Sequence, residues 1–96
     1  MTDEKPVFIP LKREYYEAFE RAEKDEEYRP LGPRWNPTVC RIGRRVTLSC
    51  GYGKKERMHG TIISFRVEYL PHQRLKGWAE CYPMSNAPAA CIGIGL

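Results

Sequence analysis

The amino-acid sequence predicts a small α+β domain built on a curved, mixed sheet or barrel of about five or six strands, with one or two short helices. Three observations predict it. Helical spacing of apolar residues occurs once, between Lys12 and Lys24, whereas strand-like alternation recurs later in the chain. Eight glycines and eight prolines in 96 residues cut the remainder into short elements. The chain closes on an apolar strand, Cys91-Ile92-Gly93-Ile94-Gly95-Leu96, of the kind that completes a sheet wrapped round one core.

Val7-Phe8-Ile9 stands between Pro6 and Pro10 and reads as a first strand that enters the core and stops. Tyr15, Ala18, Phe19 and Ala22 then fall at i, i+3, i+4 and i+7, an apolar stripe that predicts a helix from Lys12 to about Lys24. Lys24 ends that helix, where the dipole favours a cation. Asp25 to Pro30 has no helical period and ends on a proline, so it is an extended segment or a polar edge strand. The stretch from Leu31 to Pro37 is a stiff, turn-rich loop that presents Trp35 either to the core or to a flat ligand.

Gly43 opens a strand in which Val46, Leu48 and Cys50 alternate with a wet face of Arg45, Thr47 and Ser49. Gly51 to Arg57 is a basic, glycine-punctuated connection. After Gly60 comes the longest strand, with Thr61, Ile63, Phe65, Val67 and Tyr69 on one face and Ile62, Ser64, Arg66 and Glu68 on the other. Pro71, Gly77, Pro83 and Pro88 then allow no element longer than a few residues. In the last strand Ile92, Ile94 and Leu96 form the apolar face, and the glycines permit close backbone approach.

At 11.2 kDa the chain has room for one domain, residues 1–96, with one modest core. No apolar run nears the roughly 18 residues of a membrane span, and no apolar stretch follows Met1 in the manner of a secretory leader. A cytoplasmic location without a membrane partner is the expectation. Sixteen basic groups against 12 acidic ones give +4. Residues 1–28 hold five basic and nine acidic groups, net −4; residues 29–96 hold eleven and three, net +8. Such segregation favours a polyanionic partner more than the small total does.

Cys40, Cys50, Cys81 and Cys91 each have at least nine residues between them and the next, whereas zinc knuckles place two ligands about two to four apart. His59 and His72 are too distant to form a half-site. No metal and no cofactor is implied, and reduced, partly buried thiols are the expectation. Neither histidine has a serine or cysteine beside it that would make a hydrolytic triad legible.

Several pieces, in this order, resemble a family: Phe8-Ile9-Pro10-Leu11-Lys12 before the helix, Lys24-x-x-Glu27-x-Arg29 after it, Gly43 ahead of a strand, and a final hydrophobic strand. Together they resemble the ASCH domain (activating signal cointegrator homology), whose fold is a PUA-like β-barrel. Glu27-Tyr28-Arg29-Pro30 with Gly32-Pro33-Arg34-Trp35-Asn36 is similar to small stand-alone phage and prophage members. The resemblance implies an open cleft where the Lys and Arg of that signature meet and a nucleic acid or nucleotide sits. Some small members are amidohydrolases acting on acylated cytidine through Lys, Thr and Glu; here Glu27 and Asp25 stand where threonines are usual, and no hydroxyl nucleophile remains.

The leading expectation is therefore a basic cleft for RNA, another nucleic acid or a nucleotide, built from Lys24, Arg29, Arg34, Trp35 and Asn36. Trp35 would stack a base and Asn36 read its edge. Arg41, Arg44, Arg45, Tyr52, Lys54, Lys55 and Arg57 would extend it along the phosphate backbone. Glu27 and Arg29 lie two apart on an extended chain, hence on one face, where an ion pair orients the guanidinium. Two other classes stay open: an enzyme on modified nucleosides or RNA, with Lys24 and Glu27 as its acid/base pair, and a phage-type module whose partner is a host protein.

Overall fold

A computed structural model describes residues 4–96, so the first three residues of the predicted domain lie outside the described residues. Its elements are β1 (Val7–Leu11), α1 (Arg13–Glu20), β2 (Glu26–Pro30), β3 (Arg45–Cys50), β4 (Arg57–Glu68), α2 (Pro71–Arg74), α3 (Trp78–Cys81) and β5 (Ala89–Gly95). One mixed sheet runs in the order β1-β3-β4-β5-β2. The β1–β3 pair is parallel and the other three pairs are antiparallel. The sheet curls into a half-barrel, the α+β architecture that the sequence predicts, with a third short helix. Its two edge strands face each other across a seam, where Arg29 of β2 donates from Nη2 to the Pro10 carbonyl of β1 at 2.6 Å.

The core follows from the two-residue period of the strands. Ile92 and Ile94 of β5 join Val7, Ile9, Leu11, Val46, Leu48 and Ile62 under Tyr16 and Phe19 of α1. On the other face of β5, Ala89 and Cys91 pack against Leu75 and Trp78 of the helical excursion. Both faces of β5 are thus covered, and large side chains such as Phe19, Ile9 and Leu48 each contribute about 1.5–3 kcal/mol by leaving water. Pro10 costs β1 no ladder bond on its outer side, because β1 is an edge.

Three local expectations are corrected. The helix stops at Glu20, four residues before Lys24, because Ala22 takes a left-handed conformation (φ 59°). The amides of Glu23 and Lys24 then cap the Ala18 carbonyl at 2.8 and 3.2 Å. The buried face is Tyr16 and Phe19; Ala22 is exposed. Tertiary contacts of Lys24, given below, override the helical period.

In β3 the supposedly wet face is covered at Thr47 and Ser49, and only Arg45 stays exposed. Thr47 and Ser49 are buried, satisfied by His59 Nδ1 at 3.2 Å and the Gly53 carbonyl at 3.1 Å. In β4 a bulge between Ile62 and Ser64 inserts one residue against β5 and shifts the alternation. Ile62 and Phe65 therefore both face the main core, and Ile63 is turned out to solvent. The close approach expected of the last strand occurs at this bulge, since a Cβ on Gly93 would overlap the Ser64 hydroxyl.

Candidate functional site

A cleft of about 300 Å³ opens at the seam between β1 and β2, close to the lower end of the range of small-molecule sites. Lys24, Glu27 and Arg29 line it together. Glu27 and Arg29 share one face of β2, as their spacing requires, and Lys24 arrives from the left-handed turn that ends α1. Arg29 Nε lies 2.9 Å from Glu27 Oε2, and Lys24 Nζ lies 3.7 Å from Oε1. The row is cation, carboxylate, cation, with the carboxylate side chain only 10% exposed and each flanking cation 16% exposed.

Aromatic rings complete the enclosure. Lys24 Nζ sits 4.3 Å from the centre of the Tyr28 ring and 5.6 Å from those of Tyr15 and Phe19, so its remaining flanks meet π-faces. Trp78 and Tyr82 lie one helical turn apart across α3, with ring centres 4.6 Å apart, and line the cleft with Tyr28. The Trp78 indole N–H is buried without an acceptor among the described residues. Gly77, which introduces α3, has φ 84° and leaves 3.0 Å between a hypothetical Cβ and the Tyr15 hydroxyl. A side chain there would be strained and would press on the cleft wall.

Burial and the neighbouring Cys81, whose sulfur is 4.0 Å from the Tyr15 hydroxyl, push the Tyr15 phenol up to about 12. Burial likewise raises the Tyr28 and Tyr82 phenols. The cleft therefore holds neutral phenols beside a row of charges.

The other predicted residues take different places. Trp35 packs half-buried against the main core and carries the Arg29 guanidinium over its ring at 5.0 Å, a platform behind the cleft. Asn36 spends its amide inside its own loop, donating to the Gly32 and Pro33 carbonyls and accepting from the amides of Thr38 and Val39. Arg34 is exposed outside the cleft lining.

The basic series from 41 to 57 divides between opposite ends of β3, about 17 Å apart by strand rise. At one end Arg41 and Arg44 pair with Glu4, and Arg44 also donates to the Val39 and Lys5 carbonyls; Arg45 is exposed beside them. At the other end lies the hairpin carrying Tyr52, Lys54 and Lys55, with Arg57 over the Phe8 ring at 5.3 Å. This hairpin adjoins the cleft, because Gly51 donates to the Leu11 carbonyl at 2.8 Å and Glu56 pairs with Arg13 at 2.6 Å. Tyr52 is 84% exposed.

Much of the charge segregation is spent internally: Glu26 pairs with Arg66 as Glu4 does with Arg41 and Arg44. Among the described residues, Lys5, Lys12, Arg34, Arg45, Lys54, Lys55, Arg57 and Lys76 make no ion pair, and Lys12 and Lys76 stand on the cleft rim. All four cysteines are free, Cys40 and Cys91 buried and Cys50 and Cys81 half-buried. No helix among the described residues is long and apolar enough to cross a membrane.

No protein-family model and no curated protein matches this chain. Sequence reasoning reached the charged row but missed Tyr15, Tyr28, Trp78 and Tyr82. One signal was present: Trp78 and Tyr82 are spaced i, i+4 between Gly77 and Pro83, a pair of rings on one face of a single helical turn.

Proposed function

We propose that this cleft binds a nucleobase and that the chain is a nucleic-acid-binding domain of the ASCH type, with single-stranded RNA as its first candidate. The observation that supports this most is the buried Lys24–Glu27–Arg29 row lying beside Tyr28, Trp78 and Tyr82 in one cleft of base size. A base needs a flat apolar contact and polar groups at its edge, and stacking on a ring is worth about 1–3 kcal/mol. Lys12 and Lys76 on the rim, continued by Lys54 and Lys55 on the adjoining hairpin, suit the phosphates on either side.

The amidohydrolase alternative lacks a nucleophile of the required kind. Among the described residues no serine or threonine lines the cleft, and Glu27 is held between two cations. Turnover of N4-acetylcytidine that disappears in Glu27→Gln would restore that alternative.

The binding test is titration of a short labelled RNA at several salt concentrations. Four backbone contacts give a slope of log affinity against log salt of about −3 for a single strand, and Lys54→Ala with Lys55→Ala reduces its size by about 1.4. An affinity indifferent to salt, or one that survives Arg29→Ala combined with Lys54→Ala, overturns the proposal.

A further inference from the structure

We infer that the Lys24–Glu27–Arg29 row selects the imide edge of a pyrimidine, so that the cleft prefers uracil, or thymine in DNA, to the other bases. The inference rests on the reading that the cleft takes a nucleobase, and it specifies which one. A carboxylate only accepts hydrogen bonds, while ammonium and guanidinium groups only donate them. Two cations flank Glu27, one at each oxygen, at 3.7 and 2.9 Å. The row therefore presents donor, acceptor, donor.

Uracil and thymine present the complement along one edge: a carbonyl, an N–H and a second carbonyl. All three positions are matched when the imide N–H faces Glu27 and the carbonyls face Lys24 and Arg29. Cytosine offers its amino group to Glu27 and its ring nitrogen to one cation, which leaves the other cation against a C–H. Adenine can turn its amino group to Glu27 with N1 and N7 towards the two cations, but these acceptors lie on two edges of the purine, and adenine brings no carbonyl. Guanine places its carbonyl and ring N–H well, but its amino group meets a cation, donor against donor.

An independent observation favours a carbonyl-rich ligand. Trp78 lines the cleft while only 2% exposed, and its buried indole N–H has no acceptor among the described residues. A buried donor left unpaired is costly, and a ligand carbonyl relieves that cost. Uracil brings two such oxygens, cytosine and guanine one, and adenine none.

The test is fluorescence anisotropy with short labelled oligomers of U, C, A and dT, using UMP, CMP and N3-methyl-UMP as competitors. Oligomers of U and dT are expected to bind about tenfold more tightly than those of C or A, the discrimination of one well-placed polar pair. N3-methyl-UMP, whose imide N–H is replaced by a methyl group, should fail to compete. In Glu27→Gln the amide can turn either end to the ligand, so the preference for U over C collapses. Trp78→Phe keeps the ring, removes the N–H, and should weaken U more than A. Equal binding of U and C, or effective competition by N3-methyl-UMP, overturns this inference and leaves nucleobase binding standing. No binding of any oligomer overturns both.

Discussion

Replacing Arg29 by alanine tests the seam most directly. In the native protein its guanidinium donates to the Pro10 carbonyl at 2.6 Å, pairs with Glu27 at 2.9 Å and lies over Trp35 at 5.0 Å. The charged bond to Pro10 is worth about 1.5–3 kcal/mol. Its loss also leaves Glu27, 10% exposed, with Lys24 at 3.7 Å as its one remaining cation. Stranding a buried partner is the larger effect, and such truncations cost about 3–5 kcal/mol. Because Lys24 stays and the contributions overlap, the expected loss is about 3 kcal/mol, a large share of the roughly 5–15 kcal/mol that holds a typical domain.

Equilibrium urea unfolding measures this loss directly, and a second variant separates its causes. Arg29→Met keeps much of the packing and strands the carboxylate; adding Glu27→Gln removes the stranded charge and should recover part of the stability. A loss below about 1 kcal/mol would place the pair among solvated surface ion pairs and refute the idea that it closes the barrel. A double variant no more stable than Arg29→Met would refute the stranded-charge explanation.

Two further outcomes are expected. Ala22→Gly should stabilise the protein by about 0.5–1 kcal/mol in the same unfolding assay, because alanine is strained at φ 59° and glycine is not; destabilisation would show that the turn is unstrained. Tyr15 has its ordinary value of 10.0 raised to about 12, so its contribution to stability is fully present below pH 10 and is lost as the pH climbs towards 12. Thermal unfolding across that window, read with tyrosinate absorbance, should fall less steeply in Tyr15→Phe; an identical decline in both proteins would refute this.

The order of elements was legible because each strand carried its own alternation and each break its own glycine or proline. Lys24, Glu27 and Arg29 were legible as a group through local spacing on β2 and the neighbouring turn. What escaped was set by distant pairing. The bulge at Ile63 depends on β5, thirty residues on, and it put Ile62 rather than Ile63 on the core side of β4 beside Phe65. Thr47 and Ser49 look solvated in sequence and are buried because His59 and Gly53 come back to satisfy them. Trp78 and Tyr82 belong to the proline-broken stretch, where four-residue helices leave too short a period to detect. Asn36 and Arg44 carried a binding signature in composition alone, and their hydrogen bonds show them holding the chain's own backbone.

The half-barrel is closed by side chains where a full barrel would use a ladder. Arg29 is thus a rivet of the shell as well as part of the proposed binding row, and Glu27 is tied to it. Substitutions that retune recognition at these two positions also loosen the container. Diversification without collapse has a safer route through Lys76, Glu80 and Tyr82, which line the same cleft from the helical side and make no side-chain hydrogen bond or ion pair to either edge strand among the described residues. In a fold of this plan, recognition can drift along the rim while the seam stays fixed.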